Sequence, residues 1–132
     1  MNDKIDISKH LDIKETDFRL IIGRTGIDYD VNKEKTNRKK HGYSLESAVY
    51  MLQRWLLPLG GPPPISKGPV AVNGEIRHLH MGIDDKNNVV FIVTTMRPDE
   101  TVRVISFRNA SHEERKIYHQ MTGGAWQSGY LR

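Results

Sequence analysis

Three arginines, Arg77, Arg103 and Arg108, fall in or beside β-prone runs. A planar guanidinium on a stiff strand can bond two oxygens at once, which suits phosphate recognition. The same residues would also suit a polar strand face in water. Six histidines accompany them: His10, His41, His78, His80, His112 and His119. A neutral imidazole can give or take a proton near pH 7. His41 is the best placed for that work, beside Lys40 at the end of a basic stretch. Its alternative role is a favourable charge at a helix C-terminus. His78 and His80 share a strand face at i, i+2 and could grip a metal. No third ligand of matching spacing stands near them, so neither metal nor cofactor is expected.

Several chemistries lack their parts. There is no Walker loop, GxGxxG, HExxH or GxSxG, and Gly23-Arg24-Thr25-Gly26 is too short to cradle a phosphate. The absence of cysteine excludes a disulfide scaffold, a thiolate zinc site and a cysteine nucleophile, and it fits a reducing compartment. The longest apolar run, Val89 to Val93, is far short of the ~20 residues that span a bilayer. Residues 1–10 carry charge and no apolar h-region, so a cytoplasmic protein with no membrane partner is expected.

The net charge of +4 is unevenly placed. Residues 1–26 carry five basic and five acidic groups, and residues 75–119 carry seven of each. Residues 27–42 carry Lys33, Lys35, Arg38, Lys39 and Lys40 against Asp28, Asp30 and Glu34. A basic cluster attracts polyanions over about a Debye length, ~8 Å at physiological salt. RNA or an acidic protein is the natural partner; a solvated helix face is the plain alternative.

The elements that would position these groups follow from patterning. The length of 132 residues suits one domain. Residues 1–26 read as a polar, partly ordered extension containing a short β-prone run, Phe18 to Ile22. Ile27 to Asp30 reads as a brief strand. A polar helix follows, capped by Asp30 or Asn32 and ended by Gly42. Polar nearly all round, it must lie on something or serve as a binding face. Ser44 caps a second helix, in which Leu45, Ala48, Val49, Leu52 and Leu56 form an apolar stripe. Residues 57–74 hold five prolines and four glycines and read as a long loop. Three strands, Glu75 to Ile83, Val89 to Thr95 and Val102 to Phe107, form an antiparallel meander. Regular alternation on the last strand sets Arg103 and Arg108 on opposite faces, while strand exit near Asn109 would free Arg108. Ser111 and Glu114 make a capping box for a last helix ending near Met121. Residues 123–132 read as a tail. The expected fold is α+β, with helices packed on one face of a small antiparallel sheet.

An ordered set of short segments resembles a known family. Tyr29-Asp30-Val31-Asn32-Lys33, then Asn37-Arg38-Lys39-Lys40-His41-Gly42, then Ser44-Leu45-Glu46-Ser47-Ala48 is similar to the opening of BrnT-type toxins. Gly74-Glu75-Ile76-Arg77 stands where that family opens its meander. Residues 102–110, with Glu113-Glu114-Arg115 and Tyr118, resemble its closing strand and helix. The resemblance covers roughly Ile27 to Gln120, within a toxin domain taken as residues 27–122.

The resemblance implies a RelE-like ribonuclease toxin of a type II toxin–antitoxin pair. It would cleave RNA, inhibit translation and be neutralised by a BrnA-like antitoxin. Operator DNA would be reached only through that antitoxin, with room for a heterotetramer. The resemblance implies roles for Glu75, Arg77, Arg103, Arg108 and His41 as catalytic residues and for Lys40 and Tyr118 in binding RNA; Lys33, Lys35, Arg38 and Lys39 of the basic stretch are expected to track the RNA backbone beside them. In the implied reaction, without metal, a base (Glu75 or His41) takes the ribose 2′-OH proton. Arg77, Arg103 and Arg108 converge on one phosphodiester, and the products are a 2′,3′-cyclic phosphate and a 5′-OH. Tyr118 would stack on a base or pack on the sheet. Ile76 between Glu75 and Arg77, and Asn109 where a basic residue is frequent, favour a second class: an RNA- or antitoxin-binding module without catalysis. A gyrase-inhibiting relative is a third.

Overall fold

The structure, a computed structural model, describes residues 15–16, 26–57, 62–98 and 101–123. The run Phe18 to Ile22 and residues 124–132 lie outside these. In chain order the elements are β1 (Glu15–Thr16), β2 (Ile27–Tyr29), α1 (Val31–His41), α2 (Leu45–Trp55), β3 (Ile65–Val72), β4 (Glu75–Ile83), β5 (Val89–Met96), β6 (Val102–Asn109) and α3 (His112–Met121). Among the described residues, no helix is long and apolar enough to cross a membrane.

The sheet order is β1-β3-β4-β5-β6-β2. Strands β3 to β6 form the expected antiparallel meander, lengthened by one strand. The short β2 pairs parallel to β6, which makes the sheet mixed. Every residue of β5 but Met96 is buried, as a continuously apolar, β-branched strand requires. Its even positions, Val90 and Ile92, pack with Leu45, Ala48 and Leu52 of α2. Its odd positions, Val89, Phe91 and Val93, pack with Tyr118 of α3. The α+β class is as expected. Helix cover on one face is supplied by α2, with α1 along the β6 edge, while α3 takes the opposite face, because a strand apolar on both sides needs cover on both.

The segment expected to be one long loop contains β3. Its proline does not break the strand because it sits at a bulge: the β3–β4 register shifts between Lys67 and Val70. Gly68 adopts φ +144, and a Cβ there would stand 2.7 Å from the His78 ring. Asn73 (φ 49) and Gly74 (φ 81) then close a two-residue hairpin into β4, a turn in which both central residues need positive φ.

The helix caps match their sequence signals. Asp30 accepts from Asn32 N–H at 2.9 Å, and Gly42 ends α1 with φ 76. Ser44 caps α2, and Ser111 with Glu114 closes a capping box on α3. An unforeseen cap joins the first two helices. Glu34 of α1 accepts from Ser44 Oγ at 2.9 Å and from the Leu45 N–H at 2.7 Å. Burial tends to raise its pKa. Hydrogen bonds from Leu45, Ser44 and Glu46 and the charge of Arg38 outweigh this and hold it below the usual carboxylate value.

What fastens the polar α1 is the edge of β6. Strand β2 covers that edge only from Val102 to Val104. Beyond it, Asn37 Oδ1 accepts from the Phe107 N–H at 3.2 Å, and Asn37 Nδ2 donates to the Phe107 carbonyl at 2.9 Å. Nδ2 also donates to the Tyr43 carbonyl at 2.9 Å. One side-chain amide thus replaces the next residue of a missing strand. Asp30 N–H bonds the Val104 carbonyl at 3.0 Å, so α1 runs alongside β6 from that point.

Replacing Asn37 by Ala should leave the Phe107 N–H and C=O unpaired in a buried place. Each such group costs about 1–3 kcal/mol. Urea unfolding is expected to show a stability loss of about 2–6 kcal/mol with the slope m unchanged.

Candidate functional site

The geometry of β6 turns on one extra residue. Val93 pairs with Ser106 and Thr94 with Val104, so Ile105 forms a bulge. Five positions separate Arg103 from Arg108, which would place them on opposite faces of a regular strand. The bulge adds one and brings both to the face that carries Phe91 and Thr95, their partners on β5. Arg77 faces Thr95 from β4, and Asp28 faces Arg103 from β2. A row Arg77–Thr95–Arg103–Asp28 therefore crosses four strands on one face.

The three guanidinium groups nevertheless do not meet at one phosphate. Each is drawn to its own carboxylate. Arg77 is fully buried and donates from Nε and Nη2 to Glu75 Oε1 at 3.2 and 3.0 Å. Arg103 donates to both oxygens of Asp28, at 3.0 and 3.2 Å. Arg108 donates from Nη1 and Nη2 to Glu114 Oε1 and Oε2, at 2.7 and 2.9 Å. Thr95 and Phe91, which mark their rows, lie four residues apart, so Arg103 and Arg108 start about 13 Å from one another. The expected convergence on a single phosphodiester is corrected on this point: an arginine on a sheet is an easy partner for any nearby carboxylate, and three were in reach.

A different set of the expected residues does come together. Lys33, Thr36, Asn37, Lys40 and His41 of α1 line a groove with Ile105, Ser106 and Arg108 of β6. The α1 members fall at i, i+3, i+4, i+7 and i+8, one face of a helix. Lys35, Arg38 and Lys39 fall off that face; they are exposed, and Arg38 lies 3.7 Å from Glu34. The basic helix thus splits. Lys33, Lys40 and His41 face the groove, and the others face solvent. Thr36, Asn37 and Ser106 are groove residues that sequence reasoning missed, although the helical spacing from Lys33 to Lys40 was a signal for the first two.

Two further candidates are core residues. Tyr118 is fully buried, and its hydroxyl donates to the Pro63 carbonyl at 2.7 Å, with burial raising its pKa. It has no ring face to offer a base, because the opposite face of the sheet needed an aromatic cover. His80 is also fully buried. Its Nδ1 lies 2.7 Å from Ser66 Oγ and its Nε2 2.8 Å from Thr94 Oγ1. Both ring nitrogens are occupied in tying β3, β4 and β5 together. Burial, with the nearby His78, pushes its pKa down to about 3. His78, half-buried, is lowered by burial too. Among the described residues, no three metal-binding side chains cluster.

Comparison with known proteins adds a family description. A family model described as the ribonuclease toxin BrnT of type II toxin–antitoxin systems matches residues 29–114. The chain is similar to the crystal structure of the Brucella abortus ribonuclease toxin BrnT at 21% sequence identity, with a TM-score of 0.47, over 67% of this chain and 100% of that one. No curated protein matches.

Two outcomes are expected from these placements. Tyr118→Phe should lose about 1 kcal/mol of stability in thermal unfolding and leave RNA affinity unchanged. His80, neutral when folded, takes a proton more readily when unfolded. Its contribution is whole above the unfolded pKa of ~6.5 and drains as the pH falls toward the folded value. Urea titrations should show a loss from His80 of about 1.4 kcal/mol by pH 5.5 relative to pH 7.5, and a His80→Gln variant should lose about that much less over the same range.

Proposed function

The chain belongs to the BrnT family of ribonuclease toxins of type II toxin–antitoxin systems, and we propose that it cuts RNA in the groove between α1 and β6 without a metal ion. Family membership carries with it an RNA substrate and an antitoxin partner. The observation that carries the site is the meeting of Lys33, Lys40, His41 and Arg108 on one groove wall-to-wall. Among those residues, His41 alone has a side chain whose ordinary titration lies near neutral pH. The others bring fixed positive charge, which supports RNA binding through its phosphates.

In the proposed reaction His41 handles the proton at one of two oxygens, the ribose 2′-oxygen or the departing 5′-oxygen, and water takes or gives the proton at the other. The freed 2′-oxygen attacks the adjacent phosphorus. The P–O5′ bond breaks, and the leaving oxygen takes a proton. A 2′,3′-cyclic phosphate and a 5′-OH end result. Arg108 and Lys40 face the charge that grows on the non-bridging oxygens, where preorganised cations contribute most. Arg103, on the same face of β6 but farther along, meets a neighbouring phosphate instead. Glu75 and Arg77 form a supporting pair on β4, since Arg77 has no exposed surface.

Cleavage of cellular RNA would halt translation, and a BrnA-like protein would neutralise the toxin, in a complex up to a heterotetramer. A non-catalytic RNA-binding module is the second reading, favoured by the carboxylate held against each arginine.

The purified protein should cleave an RNA oligonucleotide in the presence of EDTA and leave a cyclic phosphate terminus detectable by mass spectrometry. His41→Ala should lower kcat by about 10²–10⁴-fold, and Arg108→Ala by about 10²–10³-fold. Arg103→Ala should mainly raise KM. Unchanged cleavage by both His41→Ala and Arg108→Ala would remove the groove from the mechanism and leave the binding module.

A further inference from the structure

We propose that Glu114 is a positioning residue, which aims Arg108 into the groove from the N-terminus of α3; the inference rests on the groove being the RNA-cleaving site. Glu114 is almost fully buried, with 3% of its side chain exposed. Its Oε1 has two donors, the Ser111 N–H at 2.8 Å and Arg108 Nη1 at 2.7 Å. Its Oε2 receives Arg108 Nη2 at 2.9 Å, closing a two-pronged pair. The guanidinium carbon lies 4.3 Å from the centroid of the Phe91 ring, and Nη1 also donates to the Asn109 carbonyl at 3.1 Å.

The guanidinium is therefore held in its plane by a carboxylate and across its face by an aromatic ring, and it still lines the groove with 21% of its side chain exposed. A long side chain left in water would have to be ordered on each binding event. Here that ordering is complete before RNA arrives, the condition under which a charge works best on a transition state.

The carboxylate does more than cap a helix. A capping box accepts glutamine as readily as glutamate at its third position, because one oxygen is enough. The second oxygen of Glu114 serves Arg108. A glutamine would keep the cap and present an amide N–H₂ to a guanidinium that has only donors. Cap and positioning can thus be separated by one substitution. Ser111→Ala supplies the converse, damaging the cap while keeping the pair to Arg108.

The test compares wild type, Glu114→Gln, Ser111→Ala, Arg108→Ala and the double variant Glu114→Gln/Arg108→Ala. Each is assayed for thermal unfolding and for steady-state cleavage of one RNA oligonucleotide, with ¹⁵N NMR of the Arg108 Nη groups. Glu114→Gln is expected to fold with a lowered unfolding temperature, because a buried ion pair loses one partner, to lose about 10- to 100-fold in kcat with little change in KM at a temperature where it is folded, and to lose the resolved, slowly rotating Nη signals. Ser111→Ala should unfold earlier yet keep its kcat and those signals. The double variant should be no worse than Arg108→Ala. Wild-type kcat in Glu114→Gln overturns the inference, as does an activity loss in Ser111→Ala of the same size. A wild type that cleaves no RNA, or an Arg108→Ala variant as active as wild type, overturns the reading of the groove itself. Should Glu114→Gln not fold, Glu114→Asp, which keeps both oxygens at shorter reach, should show the same loss of kcat and of the Nη signals, and wild-type behaviour in it would overturn the inference.

Discussion

A strand edge inside a small protein must find partners for its N–H and C=O groups, and the far half of β6 finds them in one amide. Asn37 is buried at the point where β2 has ended and α1 has taken over. Its two polar atoms fill the role of a strand residue toward Phe107 and still reach the Tyr43 carbonyl. A helix with almost no apolar side chains is docked in this way by hydrogen bonds rather than by a greasy stripe. Tyr43 reinforces the contact, its ring 4.5 Å from that of Phe107 and its hydroxyl on Asn109 Oδ1 at 2.7 Å. Once α1 is laid along β6, its Lys33–Lys40–His41 face becomes one wall of a groove whose other wall is the strand.

The second constraint is the bulge at Ile105. It reverses which face the residues beyond it occupy, and it places Arg103, Ser106 and Arg108 on the side away from α2. The arginines then divide by depth. Arg77 is sealed under its own strand row, Arg103 is partly exposed beside β2, and Arg108 stands at the groove. A carboxylate near each one lowers the local field and fixes the side chain's direction. In the proposed function, attraction for a polyanion falls mainly to the lysines of α1, while the arginines supply geometry.

Local structure was readable wherever a short-range rule governs it. Asp30, Gly42, Ser44 and the Ser111–Glu114 box mark helix ends that depend on a few neighbouring residues, and all stand where the residue types imply. The apolar run Val89 to Val93 announced a central strand. The loop reading of residues 57–74 failed because proline content outweighed the alternation around it, although Asn73-Gly74 was a hairpin signal in plain sight. Tyr118 was readable only as an aromatic at helical spacing, and burial decided between base stacking and core.

The amino-acid order by itself determined the α+β class, the capped helices, the meander and the basic helix with His41 at its end, because each is written in residue types a few positions apart. The tertiary structure alone decided which cations share a groove. That choice depended on a one-residue bulge reversing face parity on β6, on Asn37 finding a strand 70 residues away, and on which carboxylates came within reach of the three arginines. Contacts of that range leave no periodic trace in a sequence, since they are set by register and packing rather than by the local chain.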